Sequence, residues 1–262
     1  NSLNLTIYRK MKNLFYILLF ICFLQPTLSA QPTDTTYLNA NWEITKDKAE
    51  AQYFRIIEKV DRRQVLVKDY YISGQIQMKG TYSNKNMNYR NGYFTFYFEN
   101  GNIDTEGPYS NNSRAGLWKY YREDGTLCAK VVYKKDNRKS ALFYDAAGNK
   151  IPKEEAERVA EFPGGDNSFT QFVNSKLKIN NLSKKKGMVK MELTLDKHGA
   201  IKVVNLLYSS HDDLTNEIFR IIKLMPNFIP ARIHNRNEAS VLSTNFEFKQ
   251  TKKKLVLKID RA

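Results

Sequence analysis

Apolar and polar residues alternate along most of the chain, and this period of two predicts β-strands. The alternation covers residues 53–60 and 64–71 early in the chain, and 188–195, 201–208 and 241–248 near its end. Asp196-Lys-His-Gly199 lies between two of these strands and predicts a hairpin turn, because Gly supplies the positive φ that a tight turn needs. The chain is therefore expected to be mostly β.

Two segments instead show helical spacing. The first follows a turn at residues 162–165 and has Asp166 as its expected N-cap. The second is expected to be capped by Asp212 or Ser210 and to end at Pro226. Their apolar positions are Phe169, Phe172, Val173 and Leu177, and then Leu214, Ile218, Ile221, Ile222 and Met225. The C-terminal part is thus expected to be α+β, with the order helix, strand, hairpin, strand, helix, strand. The alternating tail 255–259 is a further strand that can pair beside the last one.

The middle of the chain contains an internal repeat. Residues 92–101 align with residues 116–125 at an offset of 24, and poorer copies occupy 71–82 and 140–148. Each unit places aromatic strands around a Gly turn, and a single hairpin cannot bury its aromatic face alone. Stacked hairpins are therefore expected, with Phe96, Phe98, Trp118 and Tyr121 as packing residues. Residues 48–52 before the repeats predict a short helix or turn.

These units resemble MORN-like repeats of the YwqK type. The resemblance rests on Gly116-Leu-Trp-Lys-Tyr-Tyr-Arg-Glu-Asp-Gly125 and covers about residues 70–150. It implies a β-hairpin meander as a scaffold, and it implies no settled activity.

The C-terminal part resembles the C-terminal domain of the TonB family, in the version found in Bacteroidetes-type bacteria. The matching segments are 161–165, 187–193, 196–201, 218–231 and Phe246-Glu-Phe248. The resemblance implies a TonB-like domain with two helices and a three-stranded antiparallel sheet. It also implies protein binding, in which an outer-membrane transporter's peptide joins the sheet edge as an added strand.

Carried over by position, the receiving edge is Leu242, Ser243, Thr244, Asn245, Phe246, Glu247 and Phe248. The edge is closed instead if the 255–259 tail already pairs with it. The family's energy transducers also need a membrane-spanning helix and a Pro-rich linker, and the sequence shows neither. We therefore expect a non-enzymatic adaptor linked to TonB-dependent transmembrane transport, with an outer-membrane transporter or another envelope protein as its partner.

Residues 11–30 are typical of a signal peptide, because Lys12 precedes an apolar run at 14–24 and a cleavage site at Ala30. An uncleaved membrane anchor is the alternative. The signal indicates a periplasmic protein of a Gram-negative cell envelope. The expected organisation is 1–30 upstream residues and signal, 31–69 N-terminal β segment, 70–150 repeats, 151–160 linker and 161–262 TonB-like domain.

The net charge of +15 raises the question of an anionic partner. Export argues against nucleic acid, and the lysine triplets 184–186 and 252–254 flank strands, where lysine guards edges against aggregation. The alternative function is a structural envelope protein that binds peptidoglycan or anionic lipid through its repeats and basic surface.

No catalytic constellation stands out in the sequence. His198, His211 and His234 have no metal-ligand spacing, and Cys128 has no neighbouring base. We therefore expect no enzyme activity, no metal and no cofactor.

Overall fold

The computed structural model describes residues 35–83, 88–178, 186–249 and 254–258. The expected signal at 11–30 lies outside these residues. The chain divides into two compact units, Asn1–Ile57 and Glu58–Ala262. Within the described ranges, no helix has the length and apolar character needed to span a membrane.

The first unit is a small antiparallel pair. Strand β1 (Thr36–Leu38) pairs with the start of β2 (Tyr53–Lys59), so that Leu38 lies opposite Tyr53. Between them, Trp42 adopts a positive φ of 63° and stacks on the Tyr53 ring at 4.1 Å. Residues 48–52 form turns and bends rather than a helix.

The second unit begins with a meander of antiparallel strands, called here the repeat sheet. Its strands pair in the order β3-β4-β5-β6-β8-β9-β10-β11, and β7 pairs with β6 beside this path. The strands are β3 (Val65–Tyr71), β4 (Ile76–Tyr82), β5 (Arg90–Tyr97), β6 (Ile103–Ser110), β7 (Ser113–Arg114), β8 (Gly116–Tyr121), β9 (Leu127–Lys134), β10 (Asn137–Tyr144) and β11 (Lys150–Ile151). Stacked hairpins are thus confirmed.

Glycines inside the strands make room for the repeat's large rings. A Cβ added to Gly80 would lie 2.1 Å from the Phe94 ring, and one added to Gly107 would lie 2.4 Å from the Trp118 ring. The two rings are 0% and 2% exposed. Each glycine therefore lets an aromatic ring of the next strand lie directly on the backbone.

The C-terminal part follows two short elements at residues expected to be a linker, β11 and helix α1 (Lys153–Ala156). Its main sheet has the order β13-β12-β16-β17. The elements are α2 (Gly165–Lys176), β12 (Lys186–Leu195), β13 (Ile201–Ser209), α3 (Asp212–Ile222), β14 (Ala231–Ile233), β15 (Arg236–Glu238), β16 (Ser240–Lys249) and β17 (Lys254–Lys258). The helices and one sheet face enclose a core that includes Phe169, Met191, Ile218 and Phe246.

The mostly β prediction and the order of C-terminal elements are confirmed, with differences in detail. The expected three-stranded sheet is wrong by one strand, because β17 pairs with β16. Helix α2 takes Gly164 as its N-cap, at a φ of 82°, and Asp166 lies in its first turn. Helix α3 is preceded by His211 and ends at Ile222, before Pro226. A short additional hairpin, β14–β15, lies around His234.

Candidate functional site

The predicted receiving edge belongs to β16, and half of that edge is filled. β12 pairs with β16 along one side from Ser240 to Lys249. On the other side, β17 pairs antiparallel with Asn245–Lys249. Of the predicted residues, Asn245, Phe246, Glu247 and Phe248 therefore have strand partners on both sides. Leu242, Ser243 and Thr244 have none on the β17 side among the described strand pairs.

An apolar groove accompanies the open half of this edge. Three side chains at its rim are about half exposed, Val159 at 48%, Ile233 at 47% and Val241 at 52%. The groove encloses about 180 Å³ and is also lined by Arg158, Ala160, Ala231, Ser240 and Leu242. A short extended segment with one or two aliphatic side chains matches this size and character.

Backbone hydrogen bonds hold the wall of the groove that faces β16. The amide of Arg232 donates to the carbonyl of Arg158 at 2.8 Å, and the reverse bond is 3.0 Å. Glu161 and Ile229 exchange a second pair of bonds at 2.8 and 3.0 Å. The wall is therefore fixed independently of any bound segment.

Two hydroxyl groups of β16 are buried without a partner in the described part of the chain. They are Ser240 Oγ, in the groove, and Thr244 Oγ1, at the inner end of the open half. A hydroxyl can donate and accept, and leaving it unpaired when buried costs free energy. Both unpaired hydroxyls lie on β16, the strand of the predicted receiving edge.

A second feature was not expected from the sequence, the docking of the β14–β15 hairpin on the repeat sheet. His234 and Asn235 form its tip with positive φ values of 53° and 58°. The His234 ring stacks on the Tyr120 ring at 3.9 Å, and the Asn235 side-chain amide donates to the Tyr144 carbonyl at 2.7 Å. The tip therefore lies on the aromatic face of the repeats. We call residues 231–238 the docking hairpin.

Arg236 forms the polar part of the same contact. Its guanidinium donates to the Asp104 carboxylate and, at 3.1 Å, to the Tyr121 carbonyl. It also lies 3.3 Å from a Glu238 carboxylate oxygen. Burial alone would lower the Arg236 pKa, but the two carboxylates raise it on balance. Arg236 remains a cation and links β6 to the docking hairpin.

A cleft of about 500 Å³ opens beside this contact. It brings together the cations Arg122, Lys197 and Arg236, the carboxylates Asp104, Glu123 and Glu238, and the side chains of Phe98, His198, Asn235 and Asn237. The Nε atom of Arg236 is buried and has no partner in the described residues. Positive and negative groups balance, so the cleft favours no class of charged ligand.

Burial perturbs three titratable groups near the docking contact. It lowers the pKa of His234 to about 4, and Arg236, Arg138 and Arg114 act in the same direction against Glu157. It raises the pKa of Glu238, against the nearby Arg236. It also raises the pKa of the Cys128 thiol to about 11. His234 and Cys128 are therefore neutral at pH 7.

The remaining residues singled out in the sequence lie apart from one another. His198 is in the β12–β13 turn, and His211 Nε2 contacts the Lys186 carbonyl at 2.9 Å. Within the described residues, no three His, Cys, Asp or Glu side chains group as a metal site. Trp118 is buried, as expected of a packing residue, whereas Phe98 lines the cleft.

Comparison with known proteins supports one of the two resemblances. A family model described as a MORN repeat variant matches residues 90–111 and 114–135, so this stretch carries MORN repeat variants. The first match covers β5 and β6, and the second covers β8 and β9. No curated protein and no solved structure matches the chain significantly. The likeness of residues 161–262 to the TonB family stays a prediction.

Proposed function

We propose that the chain is a cell-envelope adaptor whose C-terminal domain binds an extended peptide of a partner as an added strand on β16. The partner is an outer-membrane transporter or another envelope protein, and export through the signal at 11–30 places the adaptor in the periplasm. The observation that carries the proposal is the half-filled edge of β16. Residues Leu242–Thr244 of this edge are open, and they lead directly into residues 245–249, which β17 already pairs.

The arrangement at this edge suits strand addition in two ways. β17 demonstrates that the edge pairs with a short antiparallel strand, whose Leu255 and Leu257 lie opposite Phe248 and Phe246. Backbone hydrogen bonds would then provide affinity, while the groove beside Val241 would select the side chains. A partner can occupy the open half or replace β17 entirely.

The test is a binding assay with N-terminal segments of outer-membrane transporters, measured by fluorescence anisotropy of labelled peptides on the full chain. We expect Val241→Lys to weaken binding at least tenfold, because it introduces a charge into an apolar groove. Leu142→Lys is the matched control, because Leu142 is 46% exposed on β10, in the repeat sheet. Binding that depends on neither residue, or no binding at all, rejects the proposal.

A second variant separates the two modes of binding. Adjacent residues of an antiparallel strand alternate between bonded and non-bonded pairs, so Val256→Pro combined with Leu257→Pro removes at least one donor that faces β16. If the partner replaces β17, this variant binds more tightly than the natural chain. If the partner uses the open half alone, its affinity is unchanged.

A further inference from the structure

The strand at the other side of the C-terminal sheet, β13, has several exposed apolar side chains. β13 pairs with β12, and no other described strand pairs with it. Four of its side chains are about half exposed, Val203 at 48%, Leu206 at 46%, Leu207 at 56% and Tyr208 at 50%. Exposed edge strands of soluble proteins are usually short or protected by charges. β13 has nine residues and Lys202 as its single charge.

The regular part of this edge lies between two bulges. The register with β12 shifts at Lys202 and again at Leu207. From Val203 to Leu206 the strand follows β12 without interruption, opposite Thr194 to Met191. Bulges blunt an edge where they occur, but these two leave a regular stretch of four residues between them.

We propose that two copies of this chain pair their β13 strands antiparallel about a two-fold axis within residues 203–206. An interface of this kind uses the same patch on both subunits, so the strand must be complementary to itself. With the axis between Val204 and Asn205, Val203 of one copy lies opposite Leu206 of the other. With the axis at Asn205, Val204 lies opposite Leu206. Apolar residues meet in either register.

The charges of β13 favour a second copy over an unrelated strand. Like charges directly opposite each other destabilise a pair of strands. In the two registers Lys202 falls opposite Leu207 or Tyr208, so the two Lys202 ammonium groups stay apart. The edge also offers no charge pattern that would select a foreign partner. Pairing would join the sheets in the order β17-β16-β12-β13-β13-β12-β16-β17.

This order has two consequences. The outer edges of both β16 strands face away from the dimer axis, so residues 240–244 of each copy stay accessible and the dimer can bind two partner peptides. A contact of one short strand pair is also well below the roughly 1,200 Å² of standard stable interfaces. The dimer is therefore weak, and its population depends on protein concentration.

Sedimentation velocity of the full chain across a concentration series tests the pairing. We expect a shift from monomer to dimer and at least tenfold weaker association for Leu207→Lys, which places a charge on each side of the axis. Leu142→Lys is the matched control, because Leu142 is 46% exposed on the repeat sheet. A monomer at every concentration, or a dimer that Leu207→Lys does not weaken more than Leu142→Lys does, overturns the proposal.

A covalent test covers the case in which Leu207→Lys does not fold. In a Cys22→Ser chain under an added oxidant, Asn205→Cys is expected to form disulfide-linked dimers if the axis lies at Asn205, where the two residues face each other. If the axis lies between Val204 and Asn205, a mixture of Val204→Cys and Asn205→Cys chains is expected to cross-link instead. Thr95→Cys on the repeat sheet is expected to form no such dimers, and Cys128 is fully buried. Cross-linking of neither kind, or no more than with Thr95→Cys, contradicts the pairing. A monomer whose β13 instead binds an added peptide contradicts it as well.

Discussion

Gly107→Ala provides a direct test of how the repeat sheet packs. The added methyl group would lie 2.4, 2.5 and 2.7 Å from the Trp118 ring atoms Cδ2, Cγ and Cε2. Carbon atoms in good contact are about 3.5–4.0 Å apart, so the ring or the strand must move by about 1 Å. Trp118 is 2% exposed, and its indole N–H donates to the Pro108 carbonyl at 3.0 Å. The ring therefore has little freedom to move away.

The expected cost follows from two opposing terms. Overpacking a buried site costs about 1–3 kcal/mol. Replacing Gly by Ala also reduces the freedom of the unfolded chain, which returns about 0.4–1 kcal/mol where the native backbone suits Ala. The backbone of Gly107 does not have a positive φ. We therefore expect Gly107→Ala to lower the free energy of unfolding by up to about 2.6 kcal/mol.

Urea unfolding followed by circular dichroism measures this change, and a double-mutant cycle assigns its cause. In a Trp118→Leu background the ring is absent, so Gly107→Ala should be neutral or stabilising. Gly148→Ala is the control. Its cost in stability comes from the backbone strain of a φ of 86°, because no atom lies within 4 Å of its added Cβ. Its effect should be the same in both backgrounds. If Gly107→Ala is equally harmful with and without Trp118, the ring-on-glycine packing is wrong.

Three further variants test the groups around the docking hairpin. His234 has a folded pKa of about 4, below its ordinary 6.5, so the unfolded chain takes up the proton first as the pH falls. The stability from neutral His234 is complete above about pH 6.5, is lost towards pH 4 and amounts to at most about 3 kcal/mol. The free energy of unfolding of His234→Gln, measured by urea unfolding, should therefore change less with pH in this range than that of the natural chain. Arg236→Ala should cost about 1–3 kcal/mol and clearly less in an Asp104→Asn background, as a double-mutant cycle by urea unfolding will show. In a Cys22→Ser chain, Cys128 should react with a thiol reagent in denaturant but hardly at all in the native state at pH 8, because burial raises its pKa to about 11.

The sequence predicts best the elements whose period is long and regular. β12 alternates apolar and polar residues over its length, and α3 repeats apolar residues along one helical face, so local pattern and tertiary burial agree. The 24-residue offset likewise corresponds to real strand pairs in the repeat sheet. In each case neighbouring residues in the sequence already determine which face is buried.

The docking hairpin escapes sequence reasoning for the opposite reason. Its strands have three residues each, too few to show a period. Asn235 in the tip is a usable turn signal, since Asn tolerates positive φ. The partners of the tip, however, lie about one hundred residues earlier in the chain, and no local pattern identifies them. The occupancy of the β16 edge is similar, because the choice between β17 and a partner peptide depends on competing pairings rather than on propensity.

A cation-on-ring ladder runs along the repeats. Arg90 lies over the Tyr109 ring at 5.2 Å and, 24 residues later, Arg114 lies over Tyr133 at 4.1 Å. The next residue at this interval, Arg138, instead pairs with the carboxylate of Glu157. The ladder therefore ends at the point where the C-terminal part begins.

Stacked repeats need a cap at their last unit, because each unit buries its aromatic face against the next. His234 covers the Tyr120 ring of β8, so the docking hairpin shields part of the aromatic face of the last matched repeat. The neighbouring residue Ile233 lines the groove beside Val241. The docking hairpin thus contributes both to this aromatic contact and to the groove. Substitutions that release His234 from Tyr120 should consequently alter peptide binding at residues 240–244, although they contact no part of the peptide.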